Sequence, residues 1–151
     1  MSVSVQAEDF DVGAEMAALA EGRTDIGAIV SFTGLVRDMA KGAAISDMEL
    51  EHYPGMTEKA LKEIEAQANA RWDLQGSRII HRYGRLAPGA RIVLVLTASP
   101  HRQAAFEAAE FLMDYLKSRA PFWKKEGTAG GGHWVDAREA DEDALKRWDQ
   151  E

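Results

Sequence analysis

The stretch that decides the fold runs from Ser99 to Lys125, SPHRQAAFEAAEFLMDYLKSRAPFWKK. It reads as one long helix with charged groups at both ends. Ser99 supplies a hydroxyl to cap the first turn and Pro100 suits the first helical position, which sets His101 and Arg102 among the unpaired N–H groups of that turn. A helix start of this kind is suited to an anion. Ala104, Ala108, Phe111, Leu112 and Tyr115 recur at helical steps and form an apolar stripe. Pro121 stops the helix, because the residue before a proline avoids the α region. Lys117 then falls in the last turn, and Phe122, Trp123, Lys124 and Lys125 follow the stop, two large rings beside two amines.

Around this stretch, 151 residues suffice for one domain spanning 1–151, able to bury roughly two-thirds of the surface of its unfolded chain. No cysteine is present, which excludes disulfides, thiolate metal sites and a cysteine nucleophile and suits a reducing compartment. The N-terminal MSVSVQAEDF lacks the basic-then-apolar order of a secretory signal, and the longest apolar run, Ile92 to Leu96, is far short of the ~20 residues that cross a bilayer. A soluble, cytoplasmic protein is expected, with no membrane association. The net charge of −7 argues against nucleic acid, whose binding draws on clustered Lys and Arg. Arg102, Lys117, Arg119, Lys124 and Lys125 nevertheless concentrate around the central helix. A local basic pocket on an acidic chain points to a small anionic ligand or to the acidic face of a partner.

Val3 and Val5 alternate with polar residues as a short edge strand, and Asp11 opens a helix that runs to Glu21, with Gly22 in the place a left-handed cap prefers. Gly27–Val36 reads as a buried strand. The segment DMAKGAA (38–44) reads as a mobile loop, and Ile45–Tyr53 alternates as a half-buried strand, so the two strands are expected to form a long hairpin. Pro54 and Gly55 break it. Thr57 then caps a helix with Ala60, Leu61, Ile64 and Ala68 on one face. A second hairpin is expected from Ile79–Leu86 and Arg91–Thr97 around Ala87, Pro88, Gly89 and Ala90, its second strand feeding into Ser99. The run Gly127–Gly132 lacks the GxxxxGK[ST] order of a phosphate loop and reads as a flexible connector. His133, Trp134 and Val135 form a last strand before an acidic terminal helix.

Of the four histidines, His52, His81, His101 and His133, none pairs at the i, i+4 spacing of a helical zinc site, so no metal and no cofactor are expected. His81 and His133 fall in strand-like segments and read as ordinary satisfied or exposed side chains. His101 beside Arg102 is placed either to bind phosphate or carboxylate or simply to face water. Lys117 has a plain reading as a helix-end cation that favours the macrodipole, and Lys124 beside Lys125 one as a solvated pair. The alternative is that an amine beside Phe122 and Trp123 loses water, and that this, with a like-charged neighbour, favours its neutral form as base or nucleophile. Arg37 is poised between a strand-end charge and a ligand clamp.

The blocks GAIVSFTGLVR, MELEHYPGM, HRYGRL, SPHRQAAFEAAEFLMDYLK and APFWKKE, in this order and spacing, resemble the catalytic (large) subunits of molybdopterin synthase, the MoaE family. The resemblance extends from about Val3 to Trp148. Ala90 departs from it, since the family often has an acid after the hairpin glycine, and Gly127–Gly132 is a variable region. The resemblance implies an α/β (α+β) fold, an α/β hammerhead with antiparallel β hairpins and a long central helix. It implies a sulfurtransferase of molybdenum cofactor biosynthesis. A small ubiquitin-like subunit would deliver sulfur as a thiocarboxylate on its C-terminal Gly-Gly tail to cyclic pyranopterin monophosphate, and two sulfurs make the dithiolene. By motif position Lys117 and Lys124 are implied as catalytic, and Arg37, His101, Arg102 and, more weakly, Arg138 as substrate-binding. The large subunits are implied to form a homodimer, and a heterotetramer with two small subunits.

The residue chemistry is compatible with these roles, because a phosphate suits the His101–Arg102 helix start and Arg37 can add a two-pronged contact. A non-enzymatic module that senses a phosphorylated small molecule would need the anion site but not both lysines. An assembly scaffold would need neither. Spacing adds one expectation: His101 and Lys117 are sixteen positions apart on one helix, so their backbones stand about 24 Å apart, and a pocket that uses both must draw them from two chains.

Overall fold

A computed structural model of the chain describes residues 2–40, 43–44, 48–120, 122–128, 131–135 and 145–149. The elements in order are β1 (Val3–Gln6), α1 (Val12–Ala20), β2 (Ala28–Leu35), β3 (Met39–Ala40), β4 (Ala43–Ala44), β5 (Met48–His52), α2 (Met56–Arg71), β6 (Gly76–Arg82), β7 (Gly84–Leu86), β8 (Arg91–Ser99), α3 (Arg102–Ser118), β9 (Phe122–Thr128) and β10 (Gly131–Val135). A single 3-10 turn, Lys146–Trp148, follows. The architecture is α+β, as expected.

The first sheet has the order β1-β6-β8-β2, with β1 parallel to β6 at one edge and the other neighbours antiparallel. Alternation along β8 sorts its residues between two layers. Val93 and Val95 face α2 and α3 in a core with Leu61, Ile64, Ile79, Phe111 and Leu112, whereas Leu94 and Leu96 face Phe10 and the apolar side of α1. Phe111 is wholly buried, which contributes about 2 to 3 kcal/mol from its ring alone. Trp72 and Trp148 meet it edge-on at 5.3 and 5.4 Å. The Trp148 indole N–H also donates to Asp114 at 2.6 Å, which clasps the terminal 3-10 turn onto α3. Of the acidic terminal helix that was expected, the described residues hold helical Leu145 and this turn, and the rest of the expected segment lies outside them.

Asp11 caps α1 by accepting the Ala14 N–H at 2.9 Å, as its position predicts. Other expectations are corrected. The cap of α2 is Gly55, whose N–H donates to Glu58; Thr57 lies inside the helix, fully buried, and its hydroxyl donates to the Tyr53 carbonyl. The apolar stripe of α3 is turned from the expected one and centres on Ala105, Ala108, Ala109, Phe111, Leu112 and Leu116, with Ala104 and Tyr115 only half-buried.

The largest correction concerns strand pairing. β2 and β5 do not form a hairpin: β2 pairs with β8, while β5 belongs to a second sheet of order β10-β9-β5-β7. Between them the expected mobile loop carries the two-residue pair β3–β4. The second expected hairpin is half right, because β6 and β8 do pair, but Gly84 at φ 94° bends the chain out of the first sheet. Only glycine adopts that backbone without strain. β7 therefore crosses to β5, where Leu86 joins Met48, Leu50 and Val36 in a small core of its own. The glycine-rich segment is not a plain connector: β9 and β10 form an antiparallel ladder in which Gly131 faces Thr128 and Gly132 faces Gly127.

Candidate active site at the two ends of the central helix

α3 follows β8 directly and returns along it, so the two ends of the helix lie at opposite ends of the first sheet. At its N-terminal end the expected cap is corrected. Ser99 is the last residue of β8 and fully buried, Pro100 precedes the helix, and His101 is the N-cap with φ −133° and ψ 150°. The cause is tertiary: the Ser99 carbonyl accepts the Gly27 N–H at 3.0 Å, which holds Ser99 in the sheet. A side chain at Gly27 would put its Cβ 1.8 Å from the Pro100 carbonyl oxygen, so glycine alone permits this approach. The Ser99 hydroxyl turns onto His101, accepting its N–H and donating to its carbonyl. His101 makes no side-chain cap, and His101 and Arg102 both stand exposed beside the first turn.

Lys117 sits in the last turn of α3 and is exposed. Among the described residues nothing hydrogen-bonds to it or pairs with it. Arg37 reaches the same end of the sheet, because Leu35 pairs with Arg91 at the start of β8 and the buried Val36 is pinned there by bonds to Ala90 and Gly89. Lys124 is carried by β9, where its Cα registers with Leu50 of β5. Arg138 lies outside the described residues. The structure thus gathers Arg37 and Lys117 at one end of the first sheet and leaves His101 and Arg102 at the other, about 22 Å away along the helix. Among the described residues no group of His, Asp and Glu is arranged to hold a metal ion.

One cluster at the Lys117 end escapes a reading of the sequence. His81 of β6 stacks face to face on Phe122, the first residue of β9, with ring centroids 3.7 Å apart and planes 19° apart. His52 packs against Tyr83 at 4.5 Å and lies 6.1 Å from Phe122. The signal available in the sequence was strand parity: Ile79 and His81 share a face of β6, and that face meets α3. Burial lowers the His81 pKa to about 4, and the nearby positive charge of Lys117 and His52 pushes it the same way, against the bond to the Arg82 carbonyl.

This has a consequence for stability. A free imidazole takes up its proton near 6.5 and the buried ring only near 4, so between these values the unfolded chain binds a proton that the native chain refuses. The stabilising effect of a neutral His81 is complete above about pH 6.5 and is lost as pH falls toward about 4, amounting to about 2 to 3 kcal/mol by about pH 4.5. His81→Phe should flatten that part of a plot of urea unfolding free energy against pH. An acid slope as steep as that of the unsubstituted protein would show that His81 is not its source.

The fold and this site define a class: an α+β protein whose central helix carries basic side chains at both ends and an imidazole cluster beside one. The MoaE protein family model matches residues 5–119. A relative from Mesorhizobium japonicum named "Molybdopterin synthase catalytic subunit" is 60% identical over 149 residues, covering 97% of this chain and 92% of its own length. The solved structure of a molybdopterin biosynthesis MoaE protein from Burkholderia ambifaria superposes with a TM-score of 0.83 at 52% identity, covering 99% of each chain. That of "Molybdopterin Synthase" from Staphylococcus aureus does so with a TM-score of 0.82 at 32% identity, over 90% of this chain and 98% of its own. The chain belongs to the MoaE protein family.

Proposed function

We propose that this chain is the catalytic subunit of a molybdopterin synthase, a sulfurtransferase in which residues 1–151 form one domain and which works in the cytoplasm. The observation that carries the reading is 60% identity to a molybdopterin synthase catalytic subunit across 97% of this chain. The substrate is cyclic pyranopterin monophosphate. The sulfur comes from a small ubiquitin-like subunit that ends in a Gly-Gly thiocarboxylate, and "catalytic subunit" in the names of the relatives is in keeping with such a second chain.

In each transfer the thiocarboxylate sulfur bonds to a substrate carbon and the oxygen on that carbon departs. Water then cleaves the acyl–sulfur bond, so the carrier returns as a carboxylate and the sulfur stays on the pterin. Two rounds make the dithiolene. Lys117 and Lys124 are the amines proposed to polarise or protonate the departing oxygen, or to hold the acyl end of the tail in passing. Arg37, His101, Arg102 and Arg138 are the proposed holders of the anion. Since the two ends of α3 are a helix length apart, one pocket using both needs two copies of the chain. The proposed assembly is a homodimer with two shared sites, and a heterotetramer once two small subunits dock.

Turnover of purified precursor with thiocarboxylated small subunit tests the function. An enzyme consumes precursor and returns carboxylate, whereas a binding module or a scaffold leaves both unchanged. The anion site has its own test. Arg37→Ala or Arg102→Ala should weaken calorimetric binding of the phosphorylated pterin by about tenfold or more, and that of a dephosphorylated analogue by no more than about threefold. Equal losses for both ligands would show that these arginines do not read the phosphate.

A further inference from the structure

His81 does more at this site than fill a gap in the core. Lys117 and Lys124 are only seven positions apart, yet one ends α3 and the other lies in a strand of the second sheet. What sets one amine against the other is where β9 begins. Phe122 opens that strand, and its N–H donates back to the Ala120 carbonyl at 2.8 Å, close behind the helix cap. On the second sheet it registers with His52 of β5. Its ring lies flat on His81, which belongs to the first sheet. Phe122 is thus the point at which β9 is tied to both sheets at once.

We propose that His81 is a positioning residue of the sulfur-transfer site: its ring is the seat on which Phe122 docks, and through Phe122 it fixes the start of β9, and with it Lys124, relative to Lys117. The role in turnover rests on the function proposed above. The side chain is suited to the task. The bond between Nδ1 and the Arg82 carbonyl, at 2.8 Å, requires the proton on Nδ1 and locks the ring about its own strand. The ring is buried and neutral, so it offers a flat apolar face of about the breadth of phenyl. Among the described residues, the charged and titratable groups around it, Lys117 from α3, His52 from β5 and the adjoining Arg82 and Tyr83, include no carboxylate that would draw a proton onto it. Leucine would fill the space but could not present a stacking plane.

The test compares His81→Leu, which keeps bulk without a plane, with His81→Phe, which keeps the plane without nitrogens, both assembled with thiocarboxylated small subunit. His81→Leu should lower kcat by about tenfold or more while KM for the precursor stays within about twofold, since misplaced catalytic groups act on the chemical step. It should also speed amide hydrogen exchange along β9. His81→Phe should hold kcat within about threefold of the unsubstituted enzyme and keep β9 exchange slow. Should His81→Leu fail to fold, Phe122→Leu breaks the same stack from the other side and should reproduce the kcat loss. Unsubstituted kcat in a variant that has lost the stack, or unchanged β9 exchange, overturns the proposal. So does a His81→Phe enzyme as slow as His81→Leu, which would place the function in the ring nitrogens. Absence of turnover in the unsubstituted enzyme overturns the sulfur-transfer reading instead, and the exchange data still decide whether His81 seats Phe122.

Discussion

Lys117→Ala should reduce precursor turnover by about a hundredfold or more and change folding stability by less than about 1 kcal/mol. The two halves of this expectation have separate grounds. Lys117 is exposed in the last turn of α3 and, among the described residues, makes no hydrogen bond or ion pair, so its structural worth is that of a helix-end cation. Its proposed part in the chemistry rests on its place: it sits where Arg37 reaches the end of the first sheet, and its charge is felt by the buried His81 ring. Lys124→Ala should be severely impaired too. Lys125, whose Cα registers with Glu49, is not among the proposed catalytic residues, so Lys125→Ala should be much milder. Turnover by Lys117→Ala within about threefold of the unsubstituted enzyme, measured with thiocarboxylated small subunit, would remove Lys117 from the chemistry.

Mixing two inactive proteins should restore activity. Arg102→Ala damages the N-terminal end of α3 and Lys117→Ala the C-terminal end, some fifteen residues and about 22 Å apart on one chain. If each pocket takes the N-terminal end from one copy and the C-terminal end from its partner, a mixed dimer places both lesions in one pocket and leaves the other whole. With complete random exchange, half of the dimers are mixed and each has one good site, so turnover should return to about a quarter of the unsubstituted level. Neither parent alone should show it. No recovery after exchange has been demonstrated by mass spectrometry would overturn the shared pocket and require both ends of α3 to act separately.

Much of the scaffold was legible where local signals are strong. Asp11 before an apolar run, the helical spacing of Leu61, Ile64 and Ala68, and Pro121 after a long amphipathic stretch each mark a helix through contacts within a few residues. The edge position of β1 and the strand near His133 were legible for similar reasons. The proposed site residues come from a resemblance, and the basic groups at the ends of α3 were legible as chemistry. His81 was passed over because a histidine in a strand acquires its environment from the next sheet and from α3, neither of which a local pattern encodes.

By itself, then, the sequence determined where the three long helices lie, where most of the strands lie, β9 and the β3–β4 pair excepted, and that the basic groups of the central helix stand a helix length apart. These follow from short-range sterics, capping and the rise of the α-helix. Tertiary structure alone decided that β2 pairs with β8 and not β5, that β7 crosses to a second sheet at Gly84, and that glycines 127, 131 and 132 join a ladder. It also decided that Ser99 ends a strand instead of capping a helix, because Gly27 claims its carbonyl. Strand partners are chosen by burial and hydrogen bonding between segments far apart in the chain, and a period-two pattern states only that a strand has two faces, never which neighbour will cover its edge.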